Sequence, residues 1–258
     1  MQIDNIGFIG AGRVVRIILD GLGRAGRGGA EIIVSDPAEA AREKLKKLHP
    51  EIEVTGDNKL SAGREIVFVA VHPPVAGRVF AEINSSVRKE AVVISLVPKI
   101  TISAIRQALE GFGRIVRMIP NAPSIVGCGY NPVSFSEVFS QAEREEILGF
   151  LQPVGECPVV EEKLLEAYAI ISGMGPTYLW FQLYELIRLA ESFGLSEQQA
   201  GDAVAAMTAG AAETMVSAGL GSEEVMDLIP LKPLQDKQDD IKQAYQTALN
   251  ELFRKLSG

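Results

Sequence analysis

Gly10 and Gly12 close a short apolar run, and Asp36 closes a second one, an order of residue types suited to holding a dinucleotide. Glycines at such a place let the chain turn tightly and bring backbone N–H groups against a pyrophosphate at the positive end of the following helix. An acid at the tip of the next strand accepts hydrogen bonds from an adenosine ribose. Ile6, Phe8 and Ile9 read as a buried parallel strand leading into Gly10-Ala-Gly12, and Glu31-Ile-Ile-Val-Ser-Asp36 as the second strand. Val15 stands where the full Gly-x-Gly-x-x-Gly/Ala pattern wants a small residue, so the helix must pack more loosely there. Two readings follow, a nucleotide site and a purely structural turn. The first points to redox chemistry with NAD(P)H, with a lean towards NADH because Asp36 repels a 2′-phosphate.

The elements that must position these residues are legible in outline. Over the first 160 residues helical and strand-like patterns alternate, which argues for βαβ units and an open, mostly parallel sheet. Glu65-Ile-Val-Phe-Val-Ala-Val71 and Ala91-Val-Val-Ile-Ser-Leu-Val97 are almost continuously apolar, as strands covered on both faces are. Ile115–Ile119 is a shorter strand stopped by Pro120, and Cys157–Val160 reads as the last one. From Glu161 onward only helical patterns remain, which places a domain boundary near residues 160 to 163. Ser196 and Gln199 form a capping box for a long alanine-rich helix that ends before Gly219. Tyr178–Phe193 is apolar around most of its circumference, more than a small helical domain can cover, so burial against a second copy is expected.

Composition limits the partners. A net charge of −8 with no basic block disfavours nucleic acid and anionic membranes and leaves a small organic substrate as the default. The two cysteines, Cys128 and Cys157, have no metal-ligand spacing, so neither a disulfide framework nor a metal site is expected. Met1-Gln-Ile-Asp4 has no basic and apolar leader pattern, and no run of 18 apolar residues follows, so a cytoplasmic protein is expected.

Gly7-Phe-Ile-Gly-Ala-Gly12, Arg117-Met-Ile-Pro-Asn-Ala-Pro123 with Gly127-Cys-Gly129, and Ser172-Gly-Met-Gly-Pro-Thr-Tyr178 together resemble the pyrroline-5-carboxylate reductase family. The resemblance implies an α/β fold: a Rossmann-type doubly wound, mostly parallel sheet over residues 1–162, with an all-helical dimerisation and substrate domain over 163–258. It also implies NAD(P)H reduction of a cyclic imine bearing a carboxylate, and a homodimer or higher homo-oligomer. Candidate cofactor contacts are Gly10, Ala11, Gly12, Arg13 and Val14, Ser35 and Asp36, then Val71, His72 and Pro73 in the loop after the Glu65–Val71 strand, and Asn121. The family usually has Lys where His72 stands, and His72 either touches the cofactor or bonds to backbone. Asn121 lies between Pro120 and Pro123, which stiffen the chain. Its amide is aimed at the nicotinamide ribose, or the segment merely ends the strand.

Ser172, Gly173, Met174, Gly175 and Thr177 are candidate substrate contacts, because Gly and Pro there free backbone N–H groups near a helix start, a ready carboxylate site. A kink made for packing is the alternative. Lys232 joins the list from Asp227-Leu-Ile-Pro-Leu-Lys-Pro233, which replaces the family's Ser-Pro-Gly-Gly-Thr-Thr loop. Tyr184 and Arg188 likewise stand where the family places Glu and Asp, and Ala206-Met207 where it has Gln-Thr. These departures leave two alternatives to imine reduction of the usual substrate: another imine or keto acid, or a non-catalytic nucleotide-binding regulator. Hydride transfer needs no triad or strong general acid, so no catalytic residue is assigned. Cys128 is read as a small buried thiol and His49 as a surface residue without a role.

Overall fold

Each long apolar run of the first half becomes a strand of one sheet. The structure, a computed structural model, describes residues 3–24 and 31–257. Met1 and Gln2, half of the stretch read above for a leader, lie outside the described residues. In chain order the elements are β1 (Asn5–Ile9), α1 (Arg13–Arg24), β2 (Glu31–Ser35), α2 (Glu39–Leu48), β3 (Glu53–Thr55), α3 (Asn58–Ala62), β4 (Ile66–Val69), α4 (Pro73–Ile83), β5 (Val92–Ser95), α5 (Ile102–Ala108) and β6 (Ile115–Met118). There follow β7 (Gly129–Tyr130), β8 (Val133–Phe135), α6 (Gln141–Leu151), β9 (Gly155–Glu156) and α7 (Leu165–Tyr168), then α8 (Pro176–Ser192), α9 (Glu197–Ser217), α10 (Ser222–Asp227) and α11 (Gln238–Ser257).

The sheet runs β3-β2-β1-β4-β5-β6-β8. All neighbours pair in parallel except β8, which is antiparallel to β6. This is a Rossmann-type doubly wound sheet, and its order reverses between β1 and β4, where ligands of such folds collect. Because side chains alternate across a strand, Phe8 and Phe68 fill one face, with their rings stacked 4.7 Å apart, together with Val15, Ile18 and Phe150. Ile9, Val67 and Val69 fill the other, with Phe80, Ile83 and Ile105.

Cys157–Val160 is not a strand. β9 lies just before it, and only Val159 bridges to Val133, because Pro158 interrupts the segment without an N–H to donate. The strands β3, β7 and β8 have two or three residues each, too short for a period to emerge from sequence.

The chain divides into two compact units, residues 1–174 with 253–258, and residues 175–252. α7 and the turn after it therefore group with the sheet, although their helical pattern groups them with the later helices. The last residues of α11 return to the first unit, where Lys99 Nζ donates to the Lys255 carbonyl. In the second unit α9 starts at the expected capping box and stops before Gly219, whose φ of +69° no helix continues through. Among the described residues of this unit only Ala200 and Val204 are buried, while Phe181 and Tyr184 of α8 are 69% and 72% exposed. No described helix is long and apolar enough to cross a membrane.

Candidate functional site

Gly10 stands at the switch point with φ +106°, and a Cβ on it would lie 2.5 Å from the Ala70 carbonyl oxygen, so the chain leaving β1 presses against the chain leaving β4. Only glycine fits both conditions. Its N–H donates to the Ser35 carbonyl at 2.6 Å. The next N–H, of Ala11, donates to Asp36 Oδ2 at 2.8 Å, and Asp36 Oδ1 accepts from the Ala38 N–H at 2.8 Å. Asp36 thus braces the turn it faces as well as marking the tip of β2. Arg42, six residues on, donates to the Asp36 carbonyl at 2.6 Å.

Gly12 is different: a Cβ there meets nothing within 4 Å. The open space lies at the start of α1, where the first backbone N–H groups of a helix favour an anion. A cleft of about 90 Å³ beside it is lined by Ala11, Gly12, Arg13, Arg16, Lys44 and Leu48 among others, so three cationic side chains gather at the turn. Val14 is half-buried and Val15 fully buried in the core. The close helix approach absent at Val15 is made one and a half turns later at Gly21, where a Cβ would stand 2.5 Å from the Ser124 carbonyl oxygen. Ser35, expected at the cofactor, is fully buried, with its hydroxyl 2.9 Å from Asn58 Oδ1 and 3.3 Å from the Phe8 carbonyl. It faces into the fold because the residue before a strand tip points opposite to the tip, and only its carbonyl reaches the turn.

Val71 and Pro73 are half-buried in the loop after β4, and His72 is exposed. His72 precedes Pro73 and Pro74 at the start of α4, and its imidazole makes no capping hydrogen bond to that helix.

Asn121 follows β6 and is buried. Its Nδ2 donates to the Ser172 carbonyl at 2.5 Å, its N–H donates to Asn131 Oδ1 at 2.9 Å, and its Oδ1 accepts from the Tyr130 N–H at 3.4 Å. The amide sought for a ribose is therefore engaged in joining two loops. Asn131, fully buried, gives the same loop a second anchor through Ser124 Oγ at 2.9 Å, a role that no local pattern signalled.

Ser172 and Gly173 end a π-helical turn, Ala169–Gly173, a rare irregularity found often at functional sites. The Ser172 hydroxyl donates back to the Tyr168 carbonyl at 3.0 Å, and the Met174 N–H donates to the Ala169 carbonyl at 2.9 Å. A Cβ on Gly173 would stand 3.2 Å from Ile119 Cγ2. Part of the expected carboxylate cradle is thus occupied by the turn's own bonds. Gly175 already has helical angles and leads into α8, with Thr177 exposed on its first turn. Lys232 lies 3.6 Å from Asp227, and Arg188 pairs with Glu185 at 2.5 Å.

Two background residues differ from expectation. His49 is buried, 3.3 Å from Asp20 and 3.4 Å from Glu51, because the end of α2 folds it back on α1. Cys128 is exposed: the neighbouring Gly129 takes the inward position, where a Cβ would stand 2.0 Å from Ser124 Oγ, which turns Cys128 outward. It shares a cleft of about 560 Å³ with Cys157, whose thiol burial pushes up to about 12 against a partial offset from Asn131.

The chain is similar to several known proteins. Residues 5–99 match the family model described as NADP oxidoreductase, coenzyme F420-dependent. The pyrroline-5-carboxylate reductase of Escherichia coli (strain K12) is 26% identical over 228 residues, 87% of this chain and 84% of that protein. A solved pyrroline-5-carboxylate reductase from Coxiella burnetii is 25% identical, covers 100% of this chain and 95% of its own, and superposes with a TM-score of 0.69. The fold matches that of the NADP-bound pyrroline carboxylate reductase of Plasmodium falciparum with a TM-score of 0.81, at 19% identity over 99% of this chain and 97% of that one.

Proposed function

We propose that this chain is a member of the pyrroline-5-carboxylate reductase family and that it reduces a cyclic imine bearing a carboxylate with NAD(P)H. The observation that carries the reading is convergence: two of the family-like segments end strands of one sheet at their carboxyl ends, and the third is hydrogen-bonded there through Asn121 and Ser172. The open space over Gly12 and the cations beside it fit a dinucleotide's phosphates. A reduced nicotinamide, when bound, supplies the hydride. The first unit's share of the work is to orient the cofactor, through the turn at Gly10–Val14 and the loop at Val71–Pro73, and to hold the segment Ser172–Met174 that leads into the substrate contacts.

We assign the carboxylate to backbone groups around Gly175 and Thr177, the part of the cradle nearest the start of α8. Asp36, fixed by two N–H groups, supports a lean towards NADH. Arg42, already at the Asp36 carbonyl, is the residue that swings towards a 2′-phosphate if NADPH is taken. The uncovered helices of residues 175–252 support a homodimer or larger homo-oligomer, and two unpaired cysteines support a cytoplasmic protein.

Loss of NADH or NADPH absorbance on adding pyrroline-5-carboxylate tests the activity, and the ratio of the two kcat/KM values tests the lean. A reductase of another imine or keto acid is the second reading. It is favoured by Asp227–Pro233, where Leu228, Ile229 and Leu231 are exposed in place of small hydroxyl residues. Turnover with a keto acid panel but not with pyrroline-5-carboxylate would select it, and no turnover with either would leave a nucleotide-binding regulator.

A further inference from the structure

Arg117 is a large, charged side chain on β6, the strand beside the antiparallel edge strand, and only 2% exposed. Burying a guanidinium costs several kcal/mol unless its donors are well matched. Here two of its three nitrogens are matched by carboxylates four residues apart: Nη1 donates to Glu162 at 3.0 Å and Nη2 to Glu166 at 2.7 Å, while the buried Nε has no hydrogen-bond partner among the described residues. The fork of an arginine suits such a pair, and a lysine's single point charge does not.

Each carboxylate oxygen that meets Arg117 also accepts a backbone N–H from the stretch between β5 and the first residue of α5. Glu162 Oε1 takes the Ile102 N–H at 2.6 Å, and Glu166 Oε1 takes the Lys99 N–H at 3.1 Å. Lys99 has φ +69°, a conformation a non-glycine residue keeps only where its surroundings hold it. Arg117 therefore gathers the loop after β5 and the start of α7 onto β6. Four residues further along the chain Asn121 grips the other end of the same segment at the Ser172 carbonyl, and Gly173 rests on Ile119. Between the two grips lie α7 and the π-helical turn.

We propose that Arg117 is a positioning residue for substrate, which acts through Glu162 and Glu166 to fix the segment 165–174 and so the backbone that leads directly into Gly175. The inference rests on the carboxylate reading given above. It assigns Arg117 no contact with the cofactor turn, so substrate and cofactor affinities should separate.

Arg117→Lys keeps the charge but reaches one carboxylate, and Glu166→Gln keeps the Lys99 hydrogen bond but weakens the ion pair. In both, KM for pyrroline-5-carboxylate should rise about tenfold with kcat within about twofold and the Kd for NADH unchanged. Hydrogen exchange of backbone amides 165–174 should quicken about tenfold while β1 and α1 keep their protection. An unchanged KM, a rise in the NADH Kd by the same factor, or unchanged exchange at 165–174 in folded protein would each overturn the proposal. A wild-type chain that does not reduce pyrroline-5-carboxylate would instead overturn the proposed function, and the exchange measurement would still decide the role of Arg117.

Discussion

Gly10 and Gly12 stand two residues apart and should fail in opposite ways. Gly10→Ala forces a Cβ against the Ala70 carbonyl at positive φ and should lower stability by about 2 kcal/mol in denaturant titration. Gly12→Val meets no neighbour, so it should melt near the wild-type temperature yet lose nucleotide binding in a fluorescence titration. A folded Gly12→Val chain with unchanged NADH affinity would remove the turn from the cofactor site. The cysteines separate as well. Cys128 should react quickly with a thiol reagent at neutral pH, while Cys157, whose thiol sits near 12, should react only after unfolding. Glycine roles of this kind are readable from sequence because the requirement is local. The burial of His49 and the engagement of Asn121 are not, since each depends on neighbours distant along the chain, and the exposure of Cys128 is not, since it follows from how Gly129 packs in the folded turn.

Among the elements, α6 carries a measurable pH signature. Glu143 closes the capping box with Ser140 and reaches Arg114 at 2.6 Å, and these contacts, the Ser140 hydroxyl first, lower its carboxyl to about 2. A carboxyl depressed in the folded state contributes stability above its unfolded value, and that contribution fades as pH falls towards about 2. Glu143→Gln should therefore lose less Tm than wild type between about pH 5 and pH 3. Equal losses would show that the contact does not survive in solution. Capping boxes were legible at α9 because Ser and Gln stand three apart just before an alanine-rich stretch. The antiparallel edge strand β8 was not, because three residues beside Pro132 carry no period of their own.

For the whole molecule, the α/β half and the helical half follow from a change of hydrophobic period, and that much was in the sequence. The apolar surface of residues 175–252 should be covered by a second copy. α9 carries Gly201 and Gly210, where an added Cβ would meet nothing within 4 Å, so another helix can lie close. Ala211→Glu should then shift the mass seen by light scattering towards the monomer, because a charge enclosed without a partner is strongly unfavourable. Retention of the oligomer would place the interface on another face.

The return of residues 253–258 to the first unit has a consequence for biosynthesis. A ribosome releases the sheet long before residues 253–257, so the sheet must wait, one stretch of its surface bare, while the later helices emerge. Its contact with Lys255, made through Lys99, closes only once that residue has left the ribosome. A stop codon placed just before Phe253 should consequently injure the amino-terminal half first, and proteolysis of stalled nascent chains should find that half loose until residues 253–257 have emerged.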